Sequence, residues 1–117
     1  ERCSGSLTWT IHGLWPEWAM ACPGPPFDLG LLSDLQPALE DKWRLCPEYN
    51  SSLLQFWGHE WEVHGRCSGM AEKAYFMKTL ALYDESVDLC PTEVGAKKCF
   101  FCFSSNFTRV ERDFCHR

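Results

Sequence analysis

Apolar and polar positions alternate through Leu7-Thr8-Trp9-Thr10-Ile11, a β-rich run that predicts a strand ended by Gly13 and Pro16. Prolines then crowd residues 16–27, which predicts a loop tied down by Cys22. From Asp28 to Trp43 apolar residues return at helical spacing, with Asp28 placed to cap the helix and Pro37 interrupting it. Cys46-Pro47 opens a turn, and Ser51 or Ser52 caps a helix over 53–64 that Gly65 terminates. A third helix is predicted over 71–89, with Tyr75, Phe76, Leu80 and Leu82 along its buried side. The aromatic, β-branched, cysteine-bearing tail over 98–115 predicts a short hairpin. Repeats and low-complexity tracts are absent from the sequence. The pattern gives an α+β fold class in a single domain, 1–117.

Composition adds a compartment. Eight cysteines in 117 residues is a density that cytosolic domains rarely carry without a metal site. Cys99-Phe100-Phe101-Cys102 is the sole CxxC and no second pair follows, so disulfides in an oxidising lumen are expected instead of zinc. The sequons at Asn50 and Asn106 fit the same secretory route, as glycosylation sites. The expected destination is extracellular or a lysosomal or vacuolar lumen. The sequence has no apolar run of the roughly eighteen residues that a membrane helix needs, so no membrane partner is expected. It starts in polar, cysteine-bearing sequence, as a mature or trimmed product would. A net charge of −5 gives no general attraction to nucleic acid, so any such contact must be local. Six tryptophans offer amphipathic area for a core and for stacking flat ligands.

Candidate chemistry concentrates in two segments. Three of the four histidines, His12, His59 and His64, lie in tryptophan-rich stretches, while His116 carries no motif. Within the second predicted helix Glu60 and His64 are i and i+4, so carboxylate and imidazole share one face. A carboxylate beside an imidazole raises its pKa and orients the ring, which suits proton transfer at mildly acidic pH. His59-Glu60 begins like a zinc-protease HExxH. The next histidine, however, comes five residues on, about 140° around an ideal helix, where chelation needs i and i+4. No metal and no cofactor are therefore expected.

Thr10-Ile11-His12-Gly13-Leu14-Trp15-Pro16 resembles the first active-site segment of the ribonuclease T2 family. Phe56-Trp57-Gly58-His59-Glu60-Trp61-Glu62-Val63-His64-Gly65-Arg66-Cys67 resembles the second, and the order matches. The likeness covers residues 7–90 closely and 99–115 loosely. It implies an antiparallel sheet packed against helices and a metal-independent RNA transphosphorylation that leaves 2′,3′-cyclic phosphate ends. Its partner would be single-stranded RNA; DNA, lacking the 2′-OH, cannot react. Carried over by position, the resemblance makes His64 the general base and His12 the general acid. His59 would hold the phosphate and Glu60 assist at the phosphorane. Trp15, Trp57 and Arg66 become substrate-binding candidates, with core packing an equal reading for Trp57. The resemblance also implies a Cys46–Cys67 bridge and a Cys102–Cys115 bridge, leaving Cys3–Cys22 and Cys90–Cys99.

Two departures stand out. Val63 occupies the place where the family usually has a lysine to neutralise the pentavalent oxyanion, and Arg66 is the nearby cation with the reach to compensate. The chain is also shorter than family domains, lacking the preceding strand and much of the sheet, as a shortened variant or a fragment would. Open sheet edges would favour association and leave oligomeric state open. Base preference is not implied. The alternative to an active, acid-preferring ribonuclease is a catalytically impaired relative that binds RNA or a protein partner.

Overall fold

A computed structural model describes residues 1–3 and 5–110. Helix α1 spans Gln36–Lys42, α2 Leu53–Val63 and α3 Glu72–Ser86. Strands β1, Cys102–Phe103, and β2, Arg109–Val110, form a two-stranded antiparallel sheet with Cys102 opposite Val110 and Phe103 opposite Arg109. Helices with a small antiparallel sheet match the expected class.

The core is aromatic. Trp43, Trp57, Trp61, Tyr75, Phe76, Leu32 and Leu39 are buried where α1, α2 and α3 meet the Leu29–Leu35 segment. Trp57, Glu60 and Trp61 project together from α2 because i, i+3 and i+4 share a face. Ser52 starts α2 with a reciprocal capping box. Its hydroxyl accepts from the Gln55 backbone N–H (3.1 Å), and the Gln55 side chain accepts from the Ser52 N–H (3.0 Å).

The expected strand over 7–11 does not form as one. Among the described residues this segment makes only an isolated bridge, Arg2 with Trp9. It is extended, with the Thr10 N–H donating to the Glu1 carbonyl and the Ile11 N–H to the Lys42 carbonyl (2.7 Å each), and the polar tips of aromatics hold it and the residues just after it. Tyr83 donates to the Trp9 carbonyl (2.6 Å), the Trp43 indole to that of His12 (2.9 Å) and the Tyr75 hydroxyl to that of Leu14 (2.7 Å). Alternation predicted the extended backbone correctly; the ladder partner was missing.

Helical corrections are local. Pro37 does not interrupt a long helix. Asp28 caps a 3₁₀ segment, Leu29–Leu35, and Pro37 lies in the first turn of α1, where its missing N–H leaves no bond unmade. Helix α3 stops at Ser86, and Val87–Leu89 continue as a 3₁₀ turn. Gly65 does not end α2 by a left-handed conformation. His64 is the C-cap, and a Cβ on Gly65 would overlap Trp61 and stand 2.9 Å from Tyr75. Close helix packing sets that glycine.

The disulfides differ from two of the implied pairings. Cys3 joins Cys46 and Cys22 joins Cys67, each with Cα atoms 5.3 Å apart, so Cys46–Cys67 and Cys3–Cys22 are corrected. The cause is chain routing. The 1–3 segment runs back beside Trp9 and Thr10 and so reaches Cys46, while Ala21 donates to the Val63 carbonyl (2.8 Å) and lays the proline loop on the end of α2. Cys90–Cys99 is present as expected. Cys115, and with it the Cys102–Cys115 pairing, lies outside the described residues, as does His116. Bridges of this kind each contribute about 2–4 kcal/mol.

Candidate active site

Glu60 is the centre of the site. It is 2% exposed, and its carboxylate rests directly on the backbone of Gly13. A side chain at Gly13 would overlap both the Glu60 carboxylate and the Trp15 indole, which explains a glycine immediately after His12. The Trp15 indole N–H donates to Glu60 Oε2 at 2.7 Å. His12 Nε2 lies 3.7 Å from Glu60 Oε1 and His64 Nε2 lies 4.0 Å from Glu60 Oε2. One carboxylate thus stands between two imidazoles contributed by distant parts of the chain.

Trp15 organises the rings. It stacks on His64 (centroids 5.0 Å apart, planes at 25°) and meets His12 edge-on at 5.0 Å. Phe56 supplies a second edge contact to His12 at 5.8 Å. His59 is exposed on α2, with its ring 6.4 Å from that of His64. An ideal helix would separate these two rings by about 140°. His64 stands at the C-cap, its N–H still bonded to the Glu60 carbonyl (3.0 Å). An open depression of about 440 Å³ faces the group, bordered by His12, Tyr49, Gln55, Phe56 and His59.

Burial sets the protonation states. Withdrawal from water pushes the Glu60 carboxyl up to about 7, against the pull of its bond from Trp15. It pushes His64 down to about 4, opposite to the rise expected from a neighbouring carboxylate, because burial, helped by the charges of His59 and His12, outweighs it. Both shifts favour a neutral pair, carboxylic acid beside neutral imidazole, at mildly acidic pH. His12, half exposed, is also lowered by burial. The Glu1 carboxylate opposes that shift, while Lys98 and His59 add to it.

Other expected residues fall elsewhere. Trp57 is buried at 2% and donates to the Trp43 carbonyl (2.7 Å), so it belongs to the core and presents no stacking face. Arg66 is drawn away from the histidines. Its Nε–H donates to the Pro25 carbonyl (2.9 Å), and its guanidinium lies 3.8 Å from Glu62 Oε2. Asn50 and Asn106 are both exposed. Sequence reasoning missed Glu1 and Tyr49: Glu1 lies 3.3 Å from His12 Nδ1 and accepts a hydrogen bond from Tyr49 at 2.8 Å. Neither belongs to a motif, and only the return of the 1–3 segment brings them in. Among the described residues no group of three or more His, Cys, Asp or Glu is arranged to hold a metal ion.

Comparison with known proteins decides the family, because the ribonuclease T2 family model matches residues 1–92. The chain belongs to the ribonuclease T2 family. It is similar to human ribonuclease T2, 39% identical over 83 residues, covering 66% of this chain and 32% of that protein. The crystal structure of human RNase T2 superposes with a TM-score of 0.64 at 36% identity over 74% of this chain and 46% of the other. Ribonuclease MC of Momordica charantia is 44% identical over 80 residues, covering 62% of this chain and 41% of the relative. RNase NT, solved in complex with 5′-AMP, has a TM-score of 0.55 at 31% identity, covering 77% of this chain and 49% of that one. The chain therefore spans less than half the length of each of these T2 relatives.

Proposed function

We propose that the chain is an endoribonuclease that cleaves single-stranded RNA by transphosphorylation, with His64 as general base and His12 as general acid. The observation that carries this reading is the pair of imidazoles facing one buried carboxylate, at 3.7 and 4.0 Å. His64 takes the proton of the ribose 2′-OH, the freed oxygen attacks phosphorus, and His12 delivers a proton to the departing 5′ oxygen. The product is a 2′,3′-cyclic phosphate, open to later hydrolysis.

The protonation states suit those roles. A base must be neutral, and burial keeps His64 neutral down to about 4. Glu60, a carboxylic acid below about 7, can donate a hydrogen bond to a nonbridging oxygen as charge builds on the phosphorane. Exposed His59 stands at the mouth of the depression, placed to hold phosphate. Trp15 keeps 45% of its surface exposed, enough to stack a base while its indole fixes Glu60. RNA is selected over DNA because the attacking group is the 2′-OH. The mechanism calls on no metal or cofactor, and an oxidising lumen, extracellular or lysosomal, suits the disulfides.

The pH dependence of kcat/KM tests the assignment. His64 is active only when deprotonated, so the rate rises as pH climbs through about 4. His12 and Glu60 act in their protonated forms, so the rate falls again as pH rises towards about 7. A maximum between these limits is the expected result. A profile still rising at a pH of about 8 contradicts the roles given to all three groups.

Val63 and the diversion of Arg66 favour a second reading, in which catalysis is weak and the chain serves by binding RNA or a protein partner. The two readings separate on measured turnover.

A further inference from the structure

The T2 motifs account for His12, His59, Glu60 and His64 but leave the outer nitrogen of His12 unexplained. His12 Nδ1 faces the Glu1 carboxylate at 3.3 Å, and the other oxygen of that carboxylate accepts the Tyr49 hydroxyl at 2.8 Å. Glu1 comes from the returning 1–3 segment and Tyr49 from the turn before α2, so the contact joins three separate stretches of chain. We infer that Glu1, held by Tyr49, is the positioning residue of His12. It fixes the ring with Nδ1–H towards Glu1 and Nε2 towards Glu60, and it opposes early loss of the imidazolium proton. This inference rests on the proposed role of His12 as general acid.

The chemistry follows from what surrounds the ring. Glu60 and His59 face it from α2, His64 from the cap at the end of α2, and Lys98 from the segment after α3. Burial, Lys98 and His59 disfavour the imidazolium, while the Glu1 carboxylate favours it. An acid that must donate from Nε2 needs its proton retained at working pH and its ring locked in one orientation. A carboxylate on Nδ1 fixes the orientation and offsets part of the loss that burial imposes. During turnover the Nε2 proton passes to the 5′ oxygen, while Nδ1–H remains bonded to Glu1, which stays ionised throughout. Neutral His12 is then the correct tautomer to recover a proton.

The test is the titration of His12 followed by NMR of its ring, in the native chain and in Glu1→Gln and Tyr49→Phe. Glu1→Gln keeps the shape and an acceptor but removes the charge. The His12 midpoint is expected to fall, with that of His64 little changed. The alkaline limb of kcat/KM should move to lower pH by the same amount, and kcat should fall about tenfold with KM nearly constant. Tyr49→Phe should move both readouts in the same direction by less. A His12 titration in Glu1→Gln that overlays the native curve overturns the inference. So does a shifted titration with an unmoved rate profile in an active enzyme. The NMR readout needs no turnover, so an inactive chain with a shifted His12 midpoint refutes the ribonuclease reading while leaving the Glu1 contact intact.

Discussion

Replacing His64 or His12 by alanine is expected to cut RNA cleavage by about 10²–10⁴-fold for each change. The double variant should lose little more than the worse single one, because base and acid act in the same transition state. The fold should survive both changes. His12 is exposed, and its backbone carbonyl, which binds the Trp43 indole, is untouched by the substitution. His64 is held by its stack on Trp15 and its place at the end of α2, and no hydrogen bond to its Nδ1 is lost on truncation. Thermal unfolding and the pattern of disulfides, measured beside the rate, separate lost chemistry from lost structure. Retention of full activity by either alanine variant removes that histidine from the mechanism.

Val63→Lys is expected to act in the opposite direction, raising kcat by about 10²-fold. Val63 is the last residue of α2, three positions after Glu60 and next to His64, so a lysine there places its ammonium beside the developing oxyanion. Arg66 does not fill that place, being engaged with Pro25 and Glu62. A gain in kcat with KM nearly unchanged is the signature of a cation that acts chiefly on the transition state. An unchanged rate would mean that another positive group already serves. Lys98, whose charge already bears on His12, is then the group to substitute next.

How far the sequence could be read depended on whether a feature was local. The Ser52 cap, the i, i+4 pairing of Glu60 with His64 and the buried side of α3 all follow from spacing along one helix, and the structure keeps them. The hairpin is local too, and its first rungs pair as expected. What failed needed contacts across the chain. Alternation over 7–11 signals extended backbone, but it cannot reveal that the Trp9 carbonyl bonds to Tyr83 and the Ile11 N–H to Lys42 instead of to a strand. Cysteine identity signals bridges, but pairing depends on where the 1–3 segment and the proline loop return. Glu1 and Tyr49 lay outside every motif because their role depends on a fold-back no local pattern encodes.

The central claim is tested most directly by the ends left on cleaved RNA. The oxidised chain is incubated with single-stranded RNA at a pH of about 5, between the limits set by His64 and Glu60, with EDTA present, and the products are read by phosphorus NMR or gel mobility. Fragments ending in 2′,3′-cyclic phosphate are expected, with no cleavage of the matching DNA. Cleavage that yields 5′-phosphate ends, or that stops when EDTA is added, would contradict that claim.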